Sequence, residues 1–219
     1  MLVHGFQSVL RVTRAAELET KPWSGGSTTE LLRLPTDSSL EARNFACRLS
    51  MAQVTQDGPF SRFEGYSRIL VLLSGAGIHL NIDGTSHALT ERFQSVEIRG
   101  SAAVSAKLLD GPVTDFNVIF RADVDATVQT VPLGQVYRTV QPQPPARRDN
   151  SAYWRESILW SPDGAFEVEY GRERVQVNPR DVFRVQHDQR PISMEVRAPN
   201  KPCTALLVSL VLPIGVGRY

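Results

Sequence analysis

Cysteine is almost absent from this 219-residue chain: Cys47 and Cys203 are the only two, far apart and each in apolar surroundings. They offer no CxxC pair and no disulfide framework, so both read as buried thiols in a reducing compartment. An excess of either charge is missing as well. Lys and Arg total 24 against 23 for Asp and Glu, which leaves no basic surplus for a phosphate backbone and no acidic tail, and nucleic acid is not an expected partner. No run reaches the roughly 18 apolar residues of a membrane-spanning helix. The opening MLVHGFQSVLRVTRAAELET has no apolar core behind a basic start, so a soluble, cytoplasmic protein without a membrane partner is expected. Histidine is scarce and dispersed, since His4, His79, His87 and His187 form no HxH or HxxxH pair. A divalent cation wants several neutral imidazoles or carboxylates converging, so neither a metal nor another cofactor is expected. Helical periodicity is the last absence: no stretch holds an apolar stripe for three turns, which excludes a helical bundle.

What the chain has in quantity is alternation. Short β-branched or aromatic runs predict strands in RILVLLS, IHLNI, SVEIR, AVSAKLL and DFNVIFRA, and again in FEVEYG, RVQVN, DVFRVQ, ISMEVR and TALLVSLVL. Asp83-Gly84, Asp110-Gly111, Asp163-Gly164 and Tyr170-Gly171 sit between such runs as hairpin turns do. Between the two groups, VQPQPPARRDN carries three prolines that remove backbone donors and favour an extended, solvated path. The expected organisation is all-β, with two barrels in tandem. The first spans residues 1–137, a linker or loop spans 138–152, and the second spans 153–219, completed by strands from the first half.

The stretch RILVLLSGAGIHLNIDG, from Arg68 to Gly84, resembles the first conserved motif of cupins, a His-x-His, Glu and Gly pattern whose first three side chains bind a divalent metal. With the final glycine set on Gly75, the ligand positions fall on Ser61, Phe63 and Arg68, and a looser match of the second motif places its histidine on Ala103. The His, His and Glu ligands are thus all absent, and a guanidinium in that shell repels a cation. A longer resemblance covers residues 20 to 124. Trp23, Gly25, Gly26, Thr28 and Glu30, then Arg48 and Ser50, then Phe60, Ser61, Phe63 and Gly65, then Arg68, and finally Asp115, Phe116 and Asn117 follow in order the pattern of the HutD/Ves family. The turn after Trp23 is shorter than the commoner form and lacks its basic-Asn pair. The resemblance implies a metal-free two-cupin fold, an association with histidine utilisation and the binding of a small metabolite. Family analogy also makes a homodimer an open possibility.

Residue chemistry supplies a separate line. Arg48 and Ser50 are two apart on a strand and face the same way, and Arg68 sits where a cupin ligand would face the cavity. Two guanidinia inside a barrel are costly unless anions answer them, and Glu30 answers one. The other invites a small carboxylate ligand. The candidate binding set is Trp23, Thr28, Glu30, Arg48, Ser50, Ser61, Phe63, Arg68 and Asn117. Structural readings stand beside it: Arg48 and Arg68 tied to Glu30, Glu64 or Asp115, Trp23 as core packing, and Gly25-Gly26 as a turn rather than an anion cradle. Thr28 and Ser50 could serve backbone groups alone, Asn117 could cap a strand end, and Phe63 could fill the metal's space. A binding module is favoured over a metal-free isomerase or epimerase acting on a small acidic substrate. Glu30 is the one base considered within the motifs, no histidine accompanies it, and no catalytic residue is assigned. A purely structural module would have no use for inward arginines.

Overall fold

The computed structural model describes residues 8–142 and 153–215, and strands are numbered in chain order. β1 (Val9–Thr13) leads into a short 3-10 turn, Ala15–Glu17, the sole helical element among the described residues. β2 (Thr20–Trp23), β3 (Gly26–Leu34), β4 (Cys47–Val54), β5 (Gly58–Pro59), β6 (Tyr66–Ser74), β7 (Ile78–Ile82), β8 (Thr85–Leu89), β9 (Ser95–Arg99), β10 (Val104–Leu108) and β11 (Val113–Arg121) follow. Then come β12 (Asp125–Leu133), β13 (Arg138–Val140), β14 (Tyr153–Trp160), β15 (Phe166–Tyr170), β16 (Glu173–Val177), β17 (Val182–His187), β18 (Met194–Arg197) and β19 (Cys203–Pro213). The ten strands predicted from alternation are all present. Sequence reading also put Arg48 and Ser50 of β4 on a strand and passed over β1, β2, β3, β5, β8, β12, β13 and β14; in β14, burial on both faces over its second half leaves no polar residues to mark an outer side.

The described chain divides into two compact units, residues 18–122 and residues 8–17 with 123–215. The first unit therefore ends after Ala122 and not at 137, because β12 pairs along its whole length with β19, and β1 pairs with β17. The start of the Pro-rich stretch is also ordered. Arg138–Val140 forms β13, paired with β18, and Thr139 donates a hydrogen bond to Glu195 at 2.6 Å. The remainder of that linker, 143–152, lies outside the described residues.

In the first unit a six-stranded sheet, β2-β3-β4-β11-β6-β9, and a four-stranded sheet, β5-β10-β7-β8, share one apolar core. Leu70 and Leu72 of β6, Val54 and Val113 from the large sheet, and Ile78, Leu80 and Val104 from the small one fill it. Each such side chain contributes roughly 1.5–3 kcal/mol on burial. The β7–β8 hairpin turns on Asp83 and Gly84, both at positive φ (50° and 88°), as a tight two-residue connection requires. The second unit has sheets β1-β17-β14-β19-β12 and β13-β18-β15-β16, and its core holds Leu159, Phe166, Phe183, Val185 and Leu207. Cys47 is buried as expected and Cys203 only half-buried; both are free thiols.

Candidate functional site

Because Leu70 and Leu72 point into the first unit's core, the period of two places Arg68 on the same side of β6. Val54 does the same for Ser50 and Arg48 on β4, and Val113 for Asp115, Asn117 and Ile119 on β11. Register then assembles two neighbouring rows across the sheet. One runs Glu30, Ser50, Asn117, Leu70, and the next runs Arg33, Arg48, Ile119, Arg68, Ile98. Glu30 and Arg33 are three apart in sequence and would face opposite ways on a regular strand. A bulge between Glu30 and Leu32 absorbs one residue and brings them to one face. That phase shift is why Arg33, invisible to a period-two reading, belongs to the site.

Glu30 is clamped: Arg33 Nε donates to its Oε1 at 2.9 Å and Arg48 Nε to its Oε2 at 2.8 Å. Burial acts to raise the Glu30 carboxyl, but the hydrogen bonds and charges of Arg48 and Arg33 outweigh it and hold the pKa below its ordinary value. Arg48 also reaches Ser50 Oγ at 3.4 Å. Arg68 lies two strands away, across Ile119, on the order of 10 Å at the usual strand spacing. Its Nη2 donates to the Ser61 carbonyl at 3.2 Å, and its guanidinium lies 5.4 Å from the Phe60 ring centre and 5.7 Å from that of Phe63. Burial lowers its pKa, with Asp115 opposing and Arg48 adding to the shift; a guanidinium remains charged nonetheless.

Sequence reasoning left Asp115 among structural partners, and the fold gives it a larger place. It is 1% exposed, and burial pushes its pKa up to about 7 against the opposing pull of Arg68 and of the Asn117 hydrogen bond. Asn117 Nδ2 donates to Asp115 Oδ1 at 2.5 Å, while Asn117 Oδ1 is buried with no partner. The signal was available: Asp115 is two residues from Asn117, so any strand that turns Asn117 inward turns Asp115 inward too. Glu30 is therefore not the one carboxylate base within the matched motifs, since Asp115 stands beside it on the same face.

Ser61, Phe63 and Arg68, the three positions aligned with metal ligands, line one pocket together with Ile98, Gly100 and Ile119. Its volume is about 10 Å³, room for a single water, so a larger guest requires Arg68 or Phe63 to move. Ala103 is not part of it. It is exposed, and its neighbours Ala102 and Val104 line the pocket instead, so the residue matched to the second motif does not face the cavity. Thr28 is half-buried on the Glu30 face, opposite Ala52. Trp23 stands apart from the core at 38% exposure, with its ring over Gly25 on the edge strand. Gly26 is explained by close approach: at φ 152°, a Cβ there would lie 1.8 Å from the Gln53 carbonyl oxygen. Among the described residues no cluster of His, Cys, Asp and Glu could hold a metal ion.

Comparison with known proteins follows the same lines. The sequence model of the HutD family matches residues 15–203. A 21.2 kDa protein of the hutC 3′ region of Pseudomonas putida is 38% identical over 115 residues, 52% of this chain and 59% of that protein. Protein Ves of Escherichia fergusonii is 35% identical over 100 residues, 45% of this chain and 50% of its own length. The matched region thus spans little more than half of these curated relatives. The structure of HutD from Pseudomonas fluorescens SBW25, obtained in a formate condition, superposes with a TM-score of 0.70 at 28% identity, covering 92% of this chain and 98% of that one. A cupin 2 conserved barrel protein from Leptotrichia buccalis, at 10% identity and a TM-score of 0.53, covers 92% and 96% and shows the fold alone.

Proposed function

Since this chain belongs to the HutD family, linked to the histidine utilisation locus, we propose that its first unit binds a small carboxylate metabolite at Arg68 without a metal. The carrying observation is an imbalance of charge. Arg33, Arg48 and Arg68 share one interior face with two carboxylates, of which Glu30 is already divided between Arg33 and Arg48. The other, Asp115, has a pKa near neutrality and is only partly ionised there. Arg68 is left with a backbone carbonyl and two aromatic rings, a guanidinium presented for bidentate pairing beside an apolar wall. Asn117 Oδ1 and the Ser50 hydroxyl lie within the adjoining row for a second polar group of the guest. Urocanate and formylglutamate, acids of histidine breakdown, suit this chemistry.

Thermal melting with and without each acid tests it. At a concentration of about 100 times Kd, binding adds roughly 2.7 kcal/mol of stability, about 5–11 °C for a chain of this size. Amides of the same acids should act far more weakly, and Arg68→Ala should remove the response. A melting curve unmoved by every acid at millimolar concentration, or moved equally by acid and amide, overturns the proposal.

One observation favours a second reading. A buried acid titrating near neutrality beside a fixed cation has the properties of a general acid or base, which points to proton transfer on a small acidic substrate. Prolonged incubation with urocanate, followed by its ultraviolet absorbance, separates the two. Turnover lost in Asp115→Asn supports the enzyme, and an unchanged spectrum with an intact melting shift supports binding alone.

A further inference from the structure

The second unit carries a buried polar cluster of its own. Leu159, Phe183, Val185 and Leu207 mark its inner face, and the period of two puts Arg155 and Ser157 of β14, His187 of β17 and Ser209 of β19 on that same face. Arg155 is paired in register with His187, and Ser157 with Ser209. Ser157 Oγ and His187 Nε2 are 2.9 Å apart. Ser157, His187 and Ser209 are 1%, 2% and 2% exposed, deep in the unit.

Three groups in this cluster are left unanswered. Ser209 Oγ, Arg155 Nε and His187 Nδ1 are fully buried with no hydrogen-bond partner, where native interiors pair nearly every such group. The charge of Arg155 is also uncompensated. Its guanidinium lies 5.7 Å from the Tyr153 ring, no carboxylate pairs with it among the described residues, and Asp125, in the same row beyond Val211, forms no ion pair with it. Burial lowers the His187 pKa, and Arg155 lowers it further against opposing backbone contacts at Arg190 and Asp188, so the imidazole is neutral and adds no second cation. Arg155 is itself only half-buried, so solvent reaches part of its guanidinium while Nε stays sealed on the cluster side without a partner.

We propose that Arg155, Ser157, His187 and Ser209 form a second ligand site, in the interior of the second unit, that takes the carboxylate group of a small monoanion. Arg155 Nε and the Ser209 hydroxyl donate to it, and the Ser157–His187 pair closes the far side. One fixed cation with otherwise neutral partners matches a single negative charge, which favours a carboxylate over a doubly charged phosphate. With both serines sealed from solvent and only Arg155 half-buried, a guest enters from the Arg155 end, which favours a short acid such as acetate. This inference stands independently of the ligand of the first unit.

The imidazole of His187 is the reporter, its NMR signal identified by its loss in His187→Gln. Acetate, inorganic phosphate and acetamide are titrated into the full chain. Acetate should shift the His187 signal saturably, phosphate should act more weakly and acetamide not at all. Ser209→Ala should weaken acetate by roughly 3–10-fold, the value of one hydrogen bond, and Arg155→Gln by at least about tenfold. The response should persist in Arg68→Ala, which separates this site from that of the first unit. If acetate and acetamide behave alike, or neither is felt, ordered water fills the cluster and the proposal fails. A saturable response to phosphate alone overturns the carboxylate assignment. Ser209→Ala with higher stability and unchanged acetate affinity makes the hydroxyl structural and also overturns it. Should Arg155→Gln not fold, the contrast between acetate and acetamide on the unsubstituted protein decides the matter.

Discussion

Replacing Asp115 with Asn should stabilise the protein, and only above a definite pH. Asp115 is buried to 1%, and its folded pKa stands at about 7 against an ordinary value of 3.8. Between those two values the folded state holds a proton that the unfolded chain releases, so stability falls as pH rises from about 4 to about 7 and is level on either side. A shift of this size corresponds to about 4 kcal/mol, an order-of-magnitude figure for a fully buried group. Asn is nearly isosteric with the protonated acid and keeps an oxygen to accept the Asn117 hydrogen bond. Asp115→Asn should therefore match the parent at pH 4 and exceed it at pH 8 by up to about 4 kcal/mol, or roughly 8–16 °C in Tm. Urea denaturation of both proteins from pH 4 to 9 measures the difference, and subtraction removes Glu156, which burial also raises to about 7 with Arg184 opposing. A ligand carboxylate competes with ionised Asp115 for Arg68, so the same substitution should tighten binding at pH 8 and flatten its pH dependence. A difference between the two proteins that is constant across pH, or that grows toward acid, would refute the argument.

Glu30→Gln should cost about 1–2 kcal/mol at neutral pH, since it strands Arg33 and Arg48 at a partly exposed site; the loss should vanish below the depressed pKa of Glu30, as acid-to-neutral melting will reveal. Gly26→Ala should lower stability by 2 kcal/mol or more, in the order of a strained backbone plus a direct clash with the Gln53 carbonyl, measured by chemical denaturation. Elemental analysis of the tag-free protein should find no stoichiometric Zn, Fe or Mn, because Ser61, Phe63 and Arg68 stand at the aligned ligand positions; about one such metal per chain would contradict the alignment.

Alternation made most strands readable, because a side chain two residues on returns to the same face whatever the rest of the fold does. The same rule put Arg48 with Ser50 and, once applied to Asn117, would have delivered Asp115. It failed in three physical situations. At Leu31 a bulge changes phase, so Arg33 joined a site that parity assigns to the opposite face. In β14 burial on both sides erased the polar marks that alternation needs. Around Ala103, a loose motif match named an exposed side chain, while the residues on either side of it, Ala102 and Val104, line the pocket. The unpaired atoms in the second unit lay beyond any sequence reading, for orphaned groups exist only once register decides which neighbours they meet.

The pairing of β1 with β17 gives synthesis an awkward order. Val9–Thr13 leaves the ribosome before any of the first unit, yet its partner, Val182–His187, follows only after that unit and most of the second have been made. Translation at about 5–20 residues per second holds β1 without its mate for roughly 10–30 seconds, long enough for the first unit to fold in the interval. Leu10 and Val12, which end in the second unit's core, must wait in water meanwhile. Arg11 between them and Arg14 just beyond give that waiting strand charges of the kind that discourage aggregation, and in the finished fold Arg14 goes on to pair with Asp181 at 2.7 Å.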